Sequence, residues 1–256
     1  MIIIGGPIYK RAWILDKWFE CIEKQDWGLD KVGFVFEAVH GDTETLDKLF
    51  DWHSRHPEVS VFDVNLDRDK GHVDHGEGGR RRWGMERYQT MVRLRNNLLQ
   101  KVRVHAPDRF FSLDSDILLE NPKTLSELYE ITELDSVDAV SPLMYMTPEG
   151  TRFPSTMTWH TKPGGFAVRK NDYPIGSLFK TDVIMAAKMM TPDVYNNTRY
   201  VLHKQGEDLG WSTSAAMKGF DLYCASHIYC PHIMSKQRLH DYLNQGDPRN
   251  KTFMVN

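Results

Sequence analysis

The sequence predicts an α/β fold, a mostly parallel β-sheet flanked by helices, and three observations carry that prediction. Short β-branched or aromatic apolar runs alternate with helically spaced segments from residue 2 to residue 64. A strand-helix-strand-helix-strand order is what a parallel sheet covered by helices produces. Hydrophobic residues make up 41 % and charged residues 26 % of the 256, a balance that suits one large domain with an ordinary core.

Ile2-Ile3-Ile4 opens the chain as a buried strand, which Gly5-Gly6-Pro7 is expected to break. From Ala12 to Lys24 the apolar residues Trp13, Leu15, Trp18, Phe19 and Ile22 fall at mixed three and four spacings, the mark of a helix. Val32 to Val39 reads as the second strand, a short helix follows through Leu46, Leu49, Phe50 and Trp52, and Val59 to Val64 reads as the third strand. Residues 65–85 hold five glycines, several acids and the run Arg80-Arg81-Arg82, and so read as a long loop or flap, solvated or clamping a phosphate-bearing ligand. Glu86 to His105 is a long helix with Met91, Leu94, Leu98, Leu99 and Val102 on its apolar face. A strand ending in Leu113-Asp114-Ser115-Asp116 comes next, then a helix from Thr124 to about Leu134 and a strand over Asp138–Pro142. Residues 143–200 are loop-rich, with Gly165-Phe166-Ala167-Val168 as a short strand. Gly206-Glu207-Asp208 precedes a helix to Lys218, and Asp221–Ala225 is the last strand.

A net charge of −3 gives no global basic footprint for nucleic acid. Three cysteines without a C-x-x-C pair fit a reducing compartment. The amino terminus lacks the features of a signal peptide, and no apolar run approaches the ~20 residues of a membrane span, so a soluble, cytoplasmic protein is expected.

The stretch with the most chemistry is Asp114-Ser115-Asp116. Side chains at i and i+2 of a strand point the same way, so both carboxylates are expected to project together from the strand end. Their repulsion is relieved by a hard divalent cation, Mg²⁺ or Mn²⁺, which takes carboxylate oxygens and keeps phosphates and water in its shell. The alternative is a local Asp-Ser-Asp turn that caps backbone N–H groups.

The assembled order resembles GT-A glycosyltransferases, in style the family 2 enzymes. Pro7-Ile8-Tyr9 ends the first strand, Glu37 and His40 end the second, Leu94-Arg95-Asn96 lies on the helix before the Asp-x-Asp, and Gly206-Glu207-Asp208 is followed by a late histidine. The resemblance implies a single GT-A (Rossmann-like) domain over 1–256, with a nucleotide-sugar half at 1–122 and an acceptor half at 123–256. It implies inverting, metal-dependent transfer from a nucleotide-diphosphate sugar, UDP-linked by preference, to an acceptor hydroxyl. Pro7, Tyr9, Arg11, Glu37, His40, Arg95, Asp114 and Ser115 are then expected at the nucleotide sugar, with Arg95 reaching the base or a phosphate. Asp114, Asp116 and His232 are expected at the metal, His227 being the other candidate histidine. Asp208 is expected as general base with Glu207 beside it, and Trp159, Gly164, Gly165 and Trp211 on the acceptor side. The style extends to bacteriophage enzymes that decorate hydroxymethylated bases in DNA, so a DNA base stands beside a glycan, a protein or a small molecule as an acceptor expectation. A sugar-phosphate nucleotidyltransferase and a non-catalytic nucleotide-sugar-binding module are the competing readings.

Overall fold

The computed structural model describes residues 1–67, 84–145 and 153–247; the Arg80–Arg82 run and most of the expected flap lie outside them. The amino-terminal part alternates β1 (Ile2–Ile8), α1 (Ala12–Glu23), β2 (Val32–Val39), α2 (Thr43–Arg55), β3 (Phe62–Asp67), α3 (Met85–His105) and β4 (Arg109–Leu113). After α4 (Thr124–Ile131) and β5 (Ala139–Leu143) come the short strands β6 (Thr156–Trp159), β7 (Ala167–Arg169), β8 (Leu178–Lys180), β9 (Val183–Ile184) and β10 (Ala187–Met190). The described chain closes with α5 (Pro192–Asn197), α6 (Glu207–Met217), β11 (Leu222–Tyr229) and α7 (Lys236–Gln245).

Eight strands form one sheet in the order β3-β2-β1-β4-β10-β5-β11-β8. β10 runs antiparallel to both neighbours and β8 antiparallel to β11, while the other pairs are parallel. A second, antiparallel sheet holds β7-β6-β9.

The period of two along each strand divides the core into two layers. Ile2 and Ile4, Phe34 and Phe36, and Phe111 and Leu113 face α1, α2 and α4 through Ile14, Trp18, Leu49, Trp52, Leu125 and Leu128. The alternate residues Ile3, Val35 and Phe110 face Leu98 and Leu99 of α3, Val194 and Tyr195 of α5, and Trp211 of α6. Each fully buried side chain of this size contributes about 1.5–3 kcal/mol.

β1 runs past the glycines to Ile8 instead of breaking at Gly5. A side chain at Gly5 would lie 2.2 Å from the carbonyl oxygen of Val35, and one at Gly6 2.7 Å from that of Leu113. These glycines mark close backbone approach inside the sheet rather than its end.

The strand order reverses beside β1: the chain steps out to β2 and β3, then returns to β4 on the other side. The connections diverge there and leave a crevice at the carboxyl ends of β1 and β4. Among the described residues no helix is long and apolar enough to cross a membrane.

Candidate active site

The crevice is a cleft of about 400 Å³. One wall comes from the end of β1 with Pro7, Tyr9 and Arg11, and from Glu37 on β2. The floor is Asp114-Ser115-Asp116 with His232, and Glu207 and Asp208, the first two residues of α6, close the far side.

The Asp-x-Asp geometry corrects the expectation of two carboxylates side by side. β4 ends at Leu113, and the Ile117 N–H bonds back to the Asp114 carbonyl at 3.1 Å, which makes 114–117 a turn. The period of two stops with the strand, so the side chains find different partners. Asp114 Oδ1 accepts from Arg95 Nη2 at 2.7 Å, while Asp116 Oδ2 accepts from Arg11 Nη2 at 3.0 Å. Asp116 Oδ1 lies 3.3 Å from His232 Nε2, and the Ile117–His232 bridge with the Ile233 N–H to the Asp116 carbonyl (2.6 Å) holds the two segments together. His227 is exposed on β11, so of the two candidate histidines His232 is the one beside the Asp-x-Asp turn.

Arg95 is buried to 1 % exposure and does not line the cleft, which corrects its expected contact with base or phosphate. It works from beneath: besides Asp114 it reaches Glu207, Nε to Oε1 at 3.5 Å. Burial alone would lower the pKa of this guanidinium, but Asp114, Tyr200, Asp208 and Glu207 together hold it well above its ordinary value.

Glu207 and Asp208 differ in surroundings. Asp208 accepts from Lys188 Nζ at 2.6 Å through Oδ1 and from the Ala186 N–H at 3.0 Å through Oδ2. Burial works against its charge, yet Lys188, Arg95 and those hydrogen bonds win and hold its pKa low. Glu207 has the opposite balance: burial, then the charge of Asp208, raise its pKa against the pull of Arg95. Lys188 lies fully buried in β10 with its Nζ 5.2 Å from the Trp211 ring and 5.7 Å from the Tyr200 ring. Sequence reasoning missed it, although a lone lysine in Ala186-Ala187-Lys188-Met189-Met190 is the signal of a charge built into a buried strand.

At the other end of the cleft Glu37 is 1 % exposed and accepts both hydrogen bonds that Asn65 Nδ2 offers, at 3.0 and 2.9 Å. Burial pushes its pKa up to about 7 against the Asn65 bonds. His40 is exposed, bonds through its N–H to the Asp67 carbonyl and does not line the cleft, contrary to expectation.

The expected acceptor residues are not gathered here. Trp211 is fully buried, donates from Nε1 to Thr198 Oγ1 at 3.0 Å and belongs to the core, so its expected place on the acceptor side is corrected. Trp159 lines a separate shallow hollow with Pro163 and Asp182. Gly164, at φ +78°, would put a side chain 2.9 Å from Thr213 on α6, so packing accounts for it, and the Gly165 carbonyl accepts from or faces His203 Nε2 at 3.0 Å.

Residues 2–174 match the family model described as "Glycosyltransferase family 25, N-terminal domain". The chain belongs to glycosyltransferase family 25. The GT-A likeness read from the sequence holds, with family 25 in place of family 2. A "Glycosyltransferase 25 family member" of Aedes aegypti is 25 % identical over 133 residues, 51 % of this chain and 21 % of the relative. The chain thus spans about a fifth of the length of the curated relatives it matches. Among solved structures, the mannosyltransferase PcManGT of Pyrobaculum calidifontis, in complex with GDP-Man and Mn²⁺, superposes with a TM-score of 0.62 at 15 % identity over 100 % of this chain and 64 % of that one. TarS 1–349 of S. aureus in complex with UDP gives 0.57 at 13 % identity, over 94 % and 62 %. At these identities the likeness is one of fold, and it matches the mixed sheet described above.

In this family 25 chain a carboxylate oxygen of Asp116 and the imidazole of His232 meet at the cleft floor, and His232 Nδ1 is buried without a hydrogen-bond partner. That donor pair fits one side of a divalent-ion shell. Among the described residues no three acidic, histidine or cysteine side chains gather closely enough to hold an ion alone. Diphosphate oxygens and water would supply the rest of the shell.

Proposed function

We propose that the chain transfers a sugar from a nucleotide-diphosphate donor, UDP-linked by preference, to an acceptor hydroxyl, with inversion and with a divalent ion. The observation that carries this is the layout of one cleft: an Asp116–His232 pair on its floor and two carboxylates at the start of α6 on its far side. Family 25 membership and neighbours solved with UDP, or with GDP-Man and Mn²⁺, support the donor class.

Pro7, Tyr9 and Glu37 form the base end of the cleft, where an aromatic face and a carboxyl group suit a nucleobase. Arg11 brings a guanidinium to the phosphate end beside Asp116. Asp116 and His232 would hold the ion, and Asp114, tied to Arg95, sets the shape of the turn. When bound, the ion supplies Lewis-acid stabilisation of charge on the departing diphosphate. A carboxylate of the Glu207–Asp208 pair takes the proton of the acceptor hydroxyl as its oxygen bonds to the sugar carbon. The bond from that carbon to the diphosphate breaks in the same step with its electron pair on the phosphate oxygen, and a single displacement of this kind inverts the centre. A DNA base is not proposed as acceptor, because nothing in the family description or the relatives' printed names supports the bacteriophage style or DNA modification.

A thermal-shift titration with UDP and GDP, each with and without Mn²⁺, tests the reading. One nucleotide should raise the unfolding temperature only when Mn²⁺ is present, because a ligand that binds only the folded state stabilises it by mass action. No shift with either nucleotide would sink the proposal. Release of UDP or GDP from the matching nucleotide hexose, without pyrophosphate release from UTP, separates it from nucleotidyl transfer.

A further inference from the structure

The two carboxylates at the start of α6 are not equivalent, and the difference is built by a residue outside the cleft. Lys188 is 0 % exposed, in the middle of the main sheet. A buried ammonium is tolerated only with a partner. Its ion-pair partner is Asp208 at 2.6 Å, the ring centroids of Trp211 and Tyr200 lie 5.2 and 5.7 Å from its Nζ, and the Arg95 charge is near enough to oppose its own. Asp208 is anchored a second time by the Ala186 N–H. Both its oxygens therefore already hold a donor.

Glu207 stands differently. The cation facing it is Arg95, whose Nε approaches only to 3.5 Å and is itself a buried atom without a hydrogen-bond partner. Arg95 makes its short contact, 2.7 Å, to Asp114 instead. The other charged or titratable groups around Glu207 are Asp208 on α6, Asp114 after β4 and Tyr88 on α3. Among the described residues, the ion pairs of Asp114, Glu207 and Asp208 run to Arg95 and Lys188, and the short contacts go to the two aspartates.

We propose that Lys188 fixes Asp208 as its permanent counter-ion, so that Glu207 is the group that takes the acceptor proton. This rests on the glycosyl-transfer reading above. The hydroxyl proton passes to a Glu207 oxygen while the hydroxyl oxygen attacks the sugar carbon, and the electron pair of the breaking bond leaves on the diphosphate. Lys188 is a positioning residue: it holds the first turn of α6 through Asp208 and touches no reacting atom. Divergent environments for two neighbouring acids are the usual way a fold separates such roles.

The test compares Glu207→Gln with the double variant Lys188→Met/Asp208→Leu, which removes both charges and leaves no lone buried ion. The probes are UDP and GDP with Mn²⁺ for binding by calorimetry, and a panel of UDP- and GDP-hexoses for turnover as nucleotide release. Glu207→Gln should bind nucleotide like wild type and lose about 10³-fold in turnover, the usual contribution of a general base. The double variant should lose about tenfold in kcat with the donor KM unchanged, and should keep the acid limb of the pH–rate profile. A folded double variant that binds nucleotide but falls as far as Glu207→Gln would overturn the assignment. So would Glu207→Gln turning over within about tenfold of wild type, a result that stands whether or not the double variant folds. Wild-type protein that binds nucleotide yet turns over no donor would overturn the glycosyl-transfer reading itself, and this assignment with it.

Discussion

Asp116 is where a single side chain has most to do. Its two oxygens face Arg11 and His232, so it joins the segment between β1 and α1 to the segment after β11. Asp116→Ala should weaken UDP binding in Mn²⁺ by at least about tenfold, about 1.4 kcal/mol, and leave the metal-free affinity little changed; calorimetry with and without Mn²⁺ checks both. Arg95→Met acts on a different quantity. It strips Asp114 and Glu207 of their buried cation and should cost about 3 kcal/mol in urea unfolding, the usual scale for breaking a buried pair from one side. Glu37 carries a pH signature. Its ordinary carboxylate value of 4.5 rises to about 7 in the folded chain. Below 4.5 both states hold the proton. Between 4.5 and about 7 the native state keeps it while the unfolded chain loses it, so stability falls as pH climbs through that window. The difference corresponds to about 3 kcal/mol. Glu37→Gln should therefore flatten the loss of stability between pH 5 and pH 8, read as unfolding midpoints at both ends. These residues were unevenly legible in the sequence. Asp116, His232, Glu37 and the Glu207-Asp208 pair stand out as acids and a histidine beside strand or helix ends. Lys188 does not, because its meaning depends on which strand lies next to which, and its chain neighbours say only that the segment is apolar.

At the scale of elements, legibility followed locality. β2 runs over Val32–Val39 and α3 over Met85–His105, close to the bounds that periodicity sets. β3 begins at Phe62, three residues later than its apolar run, because the pairing of Phe34 with Phe62 and of Val39 with Asp67 fixes the register from outside the strand. β10 went unread for the same reason: four residues with a central lysine carry no period, and only pairing with β4 and β5 makes them a strand. Glycine was the most misleading residue type. Gly210 lies inside α6, where a side chain would meet the Val201 carbonyl oxygen at 1.7 Å and its carbon at 2.8 Å. Those atoms are backbone and cannot swing aside. Gly210→Ala should push α6 away from residue 201, drag Glu207 and Asp208 with it, and lower turnover more than it lowers nucleotide affinity. Equal losses in both would mean that α6 had kept its place.

At the scale of the whole molecule, the eight-stranded sheet draws strands from both parts of the chain, and that bears on the expected division into a nucleotide half at 1–122 and an acceptor half at 123–256. β4, which carries the Asp-x-Asp turn, pairs on one side with β1 and on the other with β10, from the far half of the chain. The core on the α3 face is likewise shared, since Leu98, Leu99 and Phe110 pack with Tyr195 and Trp211. The cleft follows suit: Asp116 meets His232 at 3.3 Å, and Arg95 of α3 lies 3.5 Å from Glu207 of α6. A fragment of residues 1–122 would end its sheet on β4 with Phe110 and Phe111 at an open edge, and unpaired apolar edges associate. The fragment is therefore expected to aggregate on gel filtration and to show no UDP–Mn²⁺ stabilisation, while the full chain gains about 2.7 kcal/mol at a nucleotide concentration of 100 Kd. A monomeric fragment that bound UDP as tightly as the full chain would mean that the two halves are separate units and that the strand order across β4 and β10 adds nothing to the site.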